Sequence, residues 1–361
     1  MNFSHLKIIT NEQKLILFTS NFRTFYKFII WPIMIVGLLG NICVLIRLFL
    51  LKNINKKNSI KPFHKLSLLS LALSDILFIT TTGINILSLI NNETNLWKLP
   101  NFFCYYLPYL QSDAVIVASL TLAAIAINRY TAIKLKFPQT HATGWYTIFF
   151  YIVIWSLASA VSYPTLELYK PESLIIINNS TLYTGILCVG DKQNSSIIFT
   201  ILFVIIFVPL GIVFVVIHIM LIIEISNRKL TGHSVRAHHD DNKPSSSQDD
   251  TTGSTNLETI KINNYRKILP SHVLRKRRTI RIILFLIIIF LLCRLPQWIY
   301  LLIKLHVKLD DGYWWYIQIL LTTLSLLNAT LNPFFYTFLN ESLSLIAWIR
   351  LLSCFKNNTI L

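Results

Sequence analysis

Asp75 is a carboxylate inside an apolar run, LSLLSLALSDILFI. Charge in hydrocarbon is costly, so such a residue is a functional candidate by default, with a cation or a water network as its chemistry. A neutralised, hydrogen-bonded structural Asp75 is the plainer alternative. Asn41, Asn328 and Asn332 are further polar groups in apolar runs that would complete the same network. The thiols offer a different chemistry. Of five cysteines, Cys43 and Cys293 fall inside apolar runs and Cys354 lies near the C-terminus, which leaves Cys104 and Cys188 as a pair on one side, where a single oxidised bridge fits. The cysteines and histidines form no recognisable metal cluster, and His218 reads as a packed or water-bonded side chain, so an enzyme is not expected.

The elements that must position these groups are membrane spans. With 361 residues, of which 54% are hydrophobic and 14% charged, the chain lies outside the range of soluble proteins. A net charge of +17 would favour nucleic acid in a soluble chain, but Lys and Arg gather in particular loops, as membrane topology requires, so no nucleic-acid partner is expected. The central span runs from Cys104 to Tyr130. A helix from Cys104 to Arg129 covers about 38 Å against a hydrocarbon core of roughly 30 Å. Its middle, AVIVASLTLAAIAI, is uncharged and rich in small residues that let neighbours approach on several sides.

Apolar runs near 28–51, 66–90, 103–133, 144–166, 197–225, 279–303 and 313–338 predict seven spans. The fold class is therefore an all-α membrane protein, a seven-transmembrane helix bundle with a short amphipathic eighth helix. Residues 1–27 form the extracellular tail, 28–338 the bundle, and 339–361 the eighth helix and C-terminal tail. Arg47, Lys52, Lys56, Lys57, Lys61 and Lys65, then Lys134 and Lys136, then Arg275, Lys276, Arg277 and Arg278 place the first, second and third connecting loops of one side in the cytoplasm. The N-terminus is then extracellular, on a multi-pass plasma-membrane protein. The opposite side carries the glycosylation sequons at Asn2, Asn92, Asn178, Asn179 and Asn194. Residues 230–269 are polar and low in complexity and read as a disordered loop. Pro32, Pro164, Pro209, Pro296 and Pro333 predict kinks or hinges in five spans. SLSLIAWIRLL, after the seventh span, is too short to cross and would lie along the inner membrane surface among lipids, held by Trp348 and a lipid on Cys354.

Gly40-Asn41, Leu71 and Asp75, Cys104 with Asn128-Arg129-Tyr130, Trp155, Pro209, the run from Phe290 to Pro296 that includes Arg294, and Asn332-Pro333-Phe334-Phe335-Tyr336 follow one another in order, one set per span. That series resembles the pattern of the rhodopsin-like (class A) G-protein-coupled receptors. The resemblance implies that Cys104 and Cys188 bridge the second outer loop over a ligand pocket. It implies that Arg129 meets a heterotrimeric G protein when the sixth helix swings outward, with Asn332 and Tyr336 rearranging in that switch. It also implies a sodium ion as the one possible cofactor, held near Asp75.

The sequence departs from that pattern at several places. Asn128 stands where the family has an acid beside its arginine, and Lys276 where the sixth helix offers that arginine a carboxylate, so the inactive-state ionic lock is missing and raised basal signalling is expected. Arg294 replaces the family's toggle tryptophan. As a buried cation it needs a partner, with Asp75, Asp113 or an acidic group of the ligand as candidates. Ala118 and Ala329 replace hydroxyls of the sodium network.

The ligand class follows from the same positions. Gln111 stands where aminergic receptors place an aspartate, and Leu326 where opsins attach retinal, so neither an amine nor a photopigment is expected. Gln111 and a long outer loop from about Leu168 to Lys192, able to form a hairpin lid, resemble peptide receptors. Tyr105, Tyr109, Gln111, Gln297, Trp298, Tyr300, Gln318 and Thr322 are the candidate pocket walls, although Tyr and Trp near an interface also serve as membrane anchors. The expected function is a neuropeptide receptor that activates a heterotrimeric G protein. A lipid or small acid that engages Arg294 is the alternative ligand. A transporter, the alternative of another class, would show internal repeats, and none is visible.

Overall fold

The computed structural model describes residues 7–9, 15–54, 62–134, 144–178, 181–217, 219–220, 222–223, 271–307 and 312–339. Side chains at 7–9, 50–54, 129, 132–134, 177–178, 181–182, 271–284 and 336–339 are left aside. In chain order the elements are β1 (Lys7–Ile9), α1 (Ser20–Ile54), α2 (Pro62–Asn91), α3 (Asn101–Lys134), α4 (Gly144–Ser162), β2 (Tyr169–Asn178), β3 (Thr181–Gly190), α5 (Lys192–Leu202), α6 (Ser271–His306) and α7 (Tyr313–Leu339). Among the described residues six spans are long and apolar enough to cross a membrane, the fifth running from α5 on to Ile217. The last, α7, is 27 residues long but more polar, through Gln318, Thr322, Thr323, Ser325, Asn328 and Asn332.

The central helix α3, with its small-residue middle, is the most deeply buried of the spans. In α3, 72% of the spanning window is buried, against 17% for the span that begins with α5. Ala114, Val117, Ser119, Thr121 and Ala126 of α3 are closed off from the surface, packed by several neighbours at once. The outer face of α4 is the opposite case, with Trp145, Tyr146, Phe149 and Ile152 exposed to what would be lipid. At Gly37 a side chain has no room: a Cβ would lie 2.6 Å from Thr330 Oγ1 and 2.8 Å from Ile79 Cδ1, so this glycine brings α1 against α2 and α7 together.

Most boundaries shift by a few residues from the sequence reading, the sixth helix beginning eight residues earlier, at Ser271, and three departures have a local reason. The first helix begins at Ser20 and not at 28, because Phe18, Phe22 and Tyr26 recur every fourth residue and stack, with ring centroids 5.3 and 5.0 Å apart. Phe22 also meets Tyr316 of α7 edge-on at 4.6 Å. The fourth helix stops at Ser162 and gives way to a tighter 3₁₀ turn over Tyr163–Leu166, where Pro164 can sit without an N–H to donate. Beyond Leu202, α5 widens into a π turn, Phe203–Phe207, before helix resumes over 208–217. The N–H of Val208 reaches back five residues to Phe203 O. This relieves the register just where Pro209 has no donor and its ring would strike the preceding turn.

Outside the bundle, the loop after α4 forms an antiparallel hairpin of β2 and β3, and β1 pairs in parallel with β2, Lys7 opposite Leu174. The three-stranded order is β1-β2-β3. The tail assigned to residues 1–27 thus contributes a strand as well as the start of α1. The eighth helix with Cys354, the loop 230–269, and Asn2, Asn179 and His218 lie outside the described residues.

Candidate functional site

The cavity that faces the hairpin is assembled from five helices and the lid. Cys104 of α3 and Cys188 of β3 are joined, with Cα atoms 5.7 Å apart, so the lid is fixed to the outer end of the central helix. Trp97, in the loop between α2 and α3, donates its N–H to Ile186 O at 2.7 Å and covers part of the free edge of β3. At the foot of the hairpin Asp191 caps α5, accepting from the N–H groups of Gln193 at 3.0 Å and Asn194 at 3.2 Å.

Beneath the lid lies a cavity of about 560 Å³. Gln111, Gln297, Trp298, Gln318 and Thr322 line it, together with Lys304 and Trp315. Gln297 Nε2 approaches Thr322 Oγ1 at 3.5 Å, a long contact between α6 and α7. Gln111 Nε2 is buried with no hydrogen-bond partner among the described residues, a donor that a polar ligand group would satisfy. Trp298 is shared with the packing behind, its ring 4.2 Å from that of Phe207. Tyr300 is not a wall residue. Its hydroxyl donates to Trp314 O at 2.7 Å, which holds it at the outer junction of α6 and α7. Tyr105 and Tyr109 are likewise absent from the walls, since the lining face of α3 runs through Leu107, Pro108, Gln111 and Ser112.

Lys304 and Trp315 are wall residues that were not among the sequence candidates. Lys304 donates to Gln318 Oε1 and lies 3.5 Å above the Trp315 ring. In the sequence Lys304 counts only as a loop charge and Trp315 as a membrane anchor. The usable signal was helical spacing, because 297, 301 and 304 fall on one face of α6. Tyr169, at the start of the hairpin, also reaches the cavity, and burial pushes its phenol up.

Below this cavity, polar groups stitch the helices. Asn41 Nδ2 donates to Gly37 O at 3.0 Å and across to Ala329 O at 3.2 Å. Asn332 Nδ2 donates to Asp75 Oδ2 at 2.9 Å, joining α7 to α2. Trp155 Nε1 donates to Ser70 Oγ at 3.1 Å, and Ser70 meets Thr121 at 3.1 Å, so α4, α2 and α3 share one chain of bonds. Asn328 is buried in α7, its Nδ2 without a partner among the described residues. Phe290 packs edge-on to Phe214 of the fifth span with centroids 5.9 Å apart. Pro296 and Pro333 lie inside α6 and α7.

Arg294 is 2% exposed, with its guanidinium carbon 3.8 Å from the Phe78 ring centroid. Its Nε and Nη1 have no hydrogen-bond partner among the described residues. Asp113 is engaged elsewhere, accepting from Ser159 Oγ of α4 at 3.1 Å. The surroundings of Asp75 do not suit a sodium ion. A hard cation needs several oxygen ligands, whereas Asn332 presents N–H hydrogens to Asp75, and the buried positions 118 and 329 are alanines with no hydroxyl to offer. At the inner end, Asn128 and Tyr130 belong to α3 and both make contacts, while the side chains of Arg129, Lys276 and Tyr336 are outside the description.

Residues 40–336 match the sequence profile of the family described as "7 transmembrane receptor (rhodopsin family)". The chain belongs to that family. As a rhodopsin-family receptor it is not an enzyme. A neuropeptide S receptor of Mus musculus is 25% identical over 331 residues, covering 90% of this chain and 79% of that protein. A QRFP-like peptide receptor of Branchiostoma floridae is 30% identical over 146 residues, 39% of this chain and 36% of that protein. The bridge from Cys104 to Cys188 and the polar contact between Asp75 and Asn332 thus sit in a rhodopsin-family receptor.

Proposed function

We propose that this receptor resides in the plasma membrane with its N-terminus outside, binds a peptide in the cavity beneath the hairpin, and passes that event to a heterotrimeric G protein at the inner end of α3. The observation that carries the reading is the cavity itself, about 560 Å³ with amide walls at Gln111, Gln297 and Gln318 and a disulfide-anchored lid. Amide side chains can bond a peptide backbone as donor and acceptor at once. The peptide-binding names of the two relatives support the same class. Arg129, Tyr130, Asn332 and Tyr336 serve as the coupling groups, and Asn92, Asn178 and Asn194 as outer sequons. Of these, Asn92 Nδ2 donates to Ser88 O at 2.8 Å and Asn194 Nδ2 to Asp191 Oδ2 at 2.7 Å, each through one of its two N–H groups, which leaves the second for a glycan.

The test is a calcium and cyclic-nucleotide reporter screen of cells expressing the chain, against a library of amidated and free-acid peptides. The expected result is a saturable response that disappears in Arg129→Ala at equal surface expression. A response to lipids or small acids and to no peptide would replace the ligand class and leave the coupling intact.

A further inference from the structure

Asp75 and Arg294 are 1% and 2% exposed at mid-depth of the bundle. An unpaired ion at such a site costs several kcal/mol, roughly, even after relaxation of its surroundings. Each therefore needs an opposite charge, and the described chain offers few. Its carboxylates are Asp75, Glu93, Asp113, Glu167, Glu172 and Asp191. Glu93 pairs with Arg23 at 3.3 Å, Asp113 is turned to Ser159 on α4, and Glu167, Glu172 and Asp191 belong to the outer loop and its junction with α5.

Position then selects the pair. Asp75 and Phe78 are three residues apart on α2 and so share a face, with side chains adjacent. The Arg294 guanidinium lies over the Phe78 ring, which brings the positive end of an α6 side chain onto the face of α2 that carries the carboxylate. Each group lies within the electrostatic reach of the other.

We propose that Arg294 is the resident counter-ion of Asp75, a cation tethered to α6 that takes the place of a free sodium ion at this carboxylate. The two charges do not form a direct salt bridge among the described contacts, and Asp75 Oδ2 accepts from Asn332. Attraction falls only as the inverse of distance and is weakly screened in the bundle, so a pair separated by more than bonding distance still neutralises the core. A sodium ion at Asp75 would add a second positive charge within reach of the guanidinium, and it would find no hydroxyl ligand from Ala118 or Ala329.

The experiment needs no ligand. The full chain is purified into lipid nanodiscs and its thermal unfolding followed in sodium chloride and in choline chloride at equal ionic strength, for wild type, D75N, R294Q, R294K and D75N/R294Q. A bound ion stabilises the folded state by mass action, so occupancy by sodium is read directly as a sodium-specific rise in Tm. The expected result is equal Tm in the two salts for wild type and R294K, and a double variant that loses clearly less than the sum of the two single losses. A sodium-specific rise in wild type that D75N abolishes would overturn the proposal, as would additive single losses. If R294Q is too unstable to purify, the wild-type and D75N salt comparison decides alone.

Discussion

Lys304 and Arg294 are both cations of α6, one at its outer end and one at mid-depth, and their surroundings differ in kind. Lys304 stands at a cavity wall with an amide oxygen and an indole face for company. Arg294 has a phenyl face, two guanidinium nitrogens without an acceptor among the described residues and, beyond bonding distance, a carboxylate. Near the interface a long side chain can keep its charge in a polar setting, so local contacts are enough. At mid-depth the whole bundle must supply the compensation. The same contrast separates the outer region from the core: the lid is fixed by one covalent bond and a few edge hydrogen bonds, the core by polar contacts that join α1 to α7, α7 to α2, and α2, α3 and α4 to one another.

Three substitutions sharpen that contrast. Cys188→Ser releases the lid from α3, and loss of a native disulfide typically costs about 2–5 kcal/mol, to be read as a lower Tm of the purified receptor together with weaker ligand response. If Tm is unchanged, the lid does not depend on the bridge. Gly37→Leu forces a side chain into the space of Thr330 and Ile79, and overpacking of this kind costs about 1–3 kcal/mol. Reduced Tm and surface expression are expected, without a specific loss of ligand potency among the molecules that fold. The smallest effect belongs to Lys304→Gln, where a half-buried cation–ring contact is worth about 1 kcal/mol or less. Its Tm should hardly move, and a large fall would show that the outer cation carries a structural burden like that of Arg294.

Much of this was legible from residue order alone. Seven apolar runs, the small-residue middle of α3 and the loop charges are linear properties of the chain that reflect physical demands of the membrane, and the order of Asp75, Arg129, Pro296 and Pro333 was legible through the family resemblance. The cavity was only partly legible. Gln111, Gln297, Gln318 and Thr322 could be named from their depth, but Tyr300 and Lys304 exchange roles because the phase of α6 against α7 sets which side chain points inward. Neither the strand at Lys7–Ile9 nor the π turn before Pro209 has a strong local pattern. The strand exists because β2 offers it an edge, and the turn because a helix without one donor must recover its register.

The sequence by itself determined that this chain is a bundle of membrane helices with a bridged outer loop and charge buried in its core, since hydrophobic length, charge placement and thiol placement are read along the chain. Only the tertiary structure decided which buried groups meet. Asp113 turns to Ser159, Asp75 accepts from Asn332, and Arg294 lies across Phe78 toward Asp75. Those choices join residues far apart in sequence, and they follow from how seven helices rotate against one another to leave the fewest charges and N–H groups uncompensated in a medium without water.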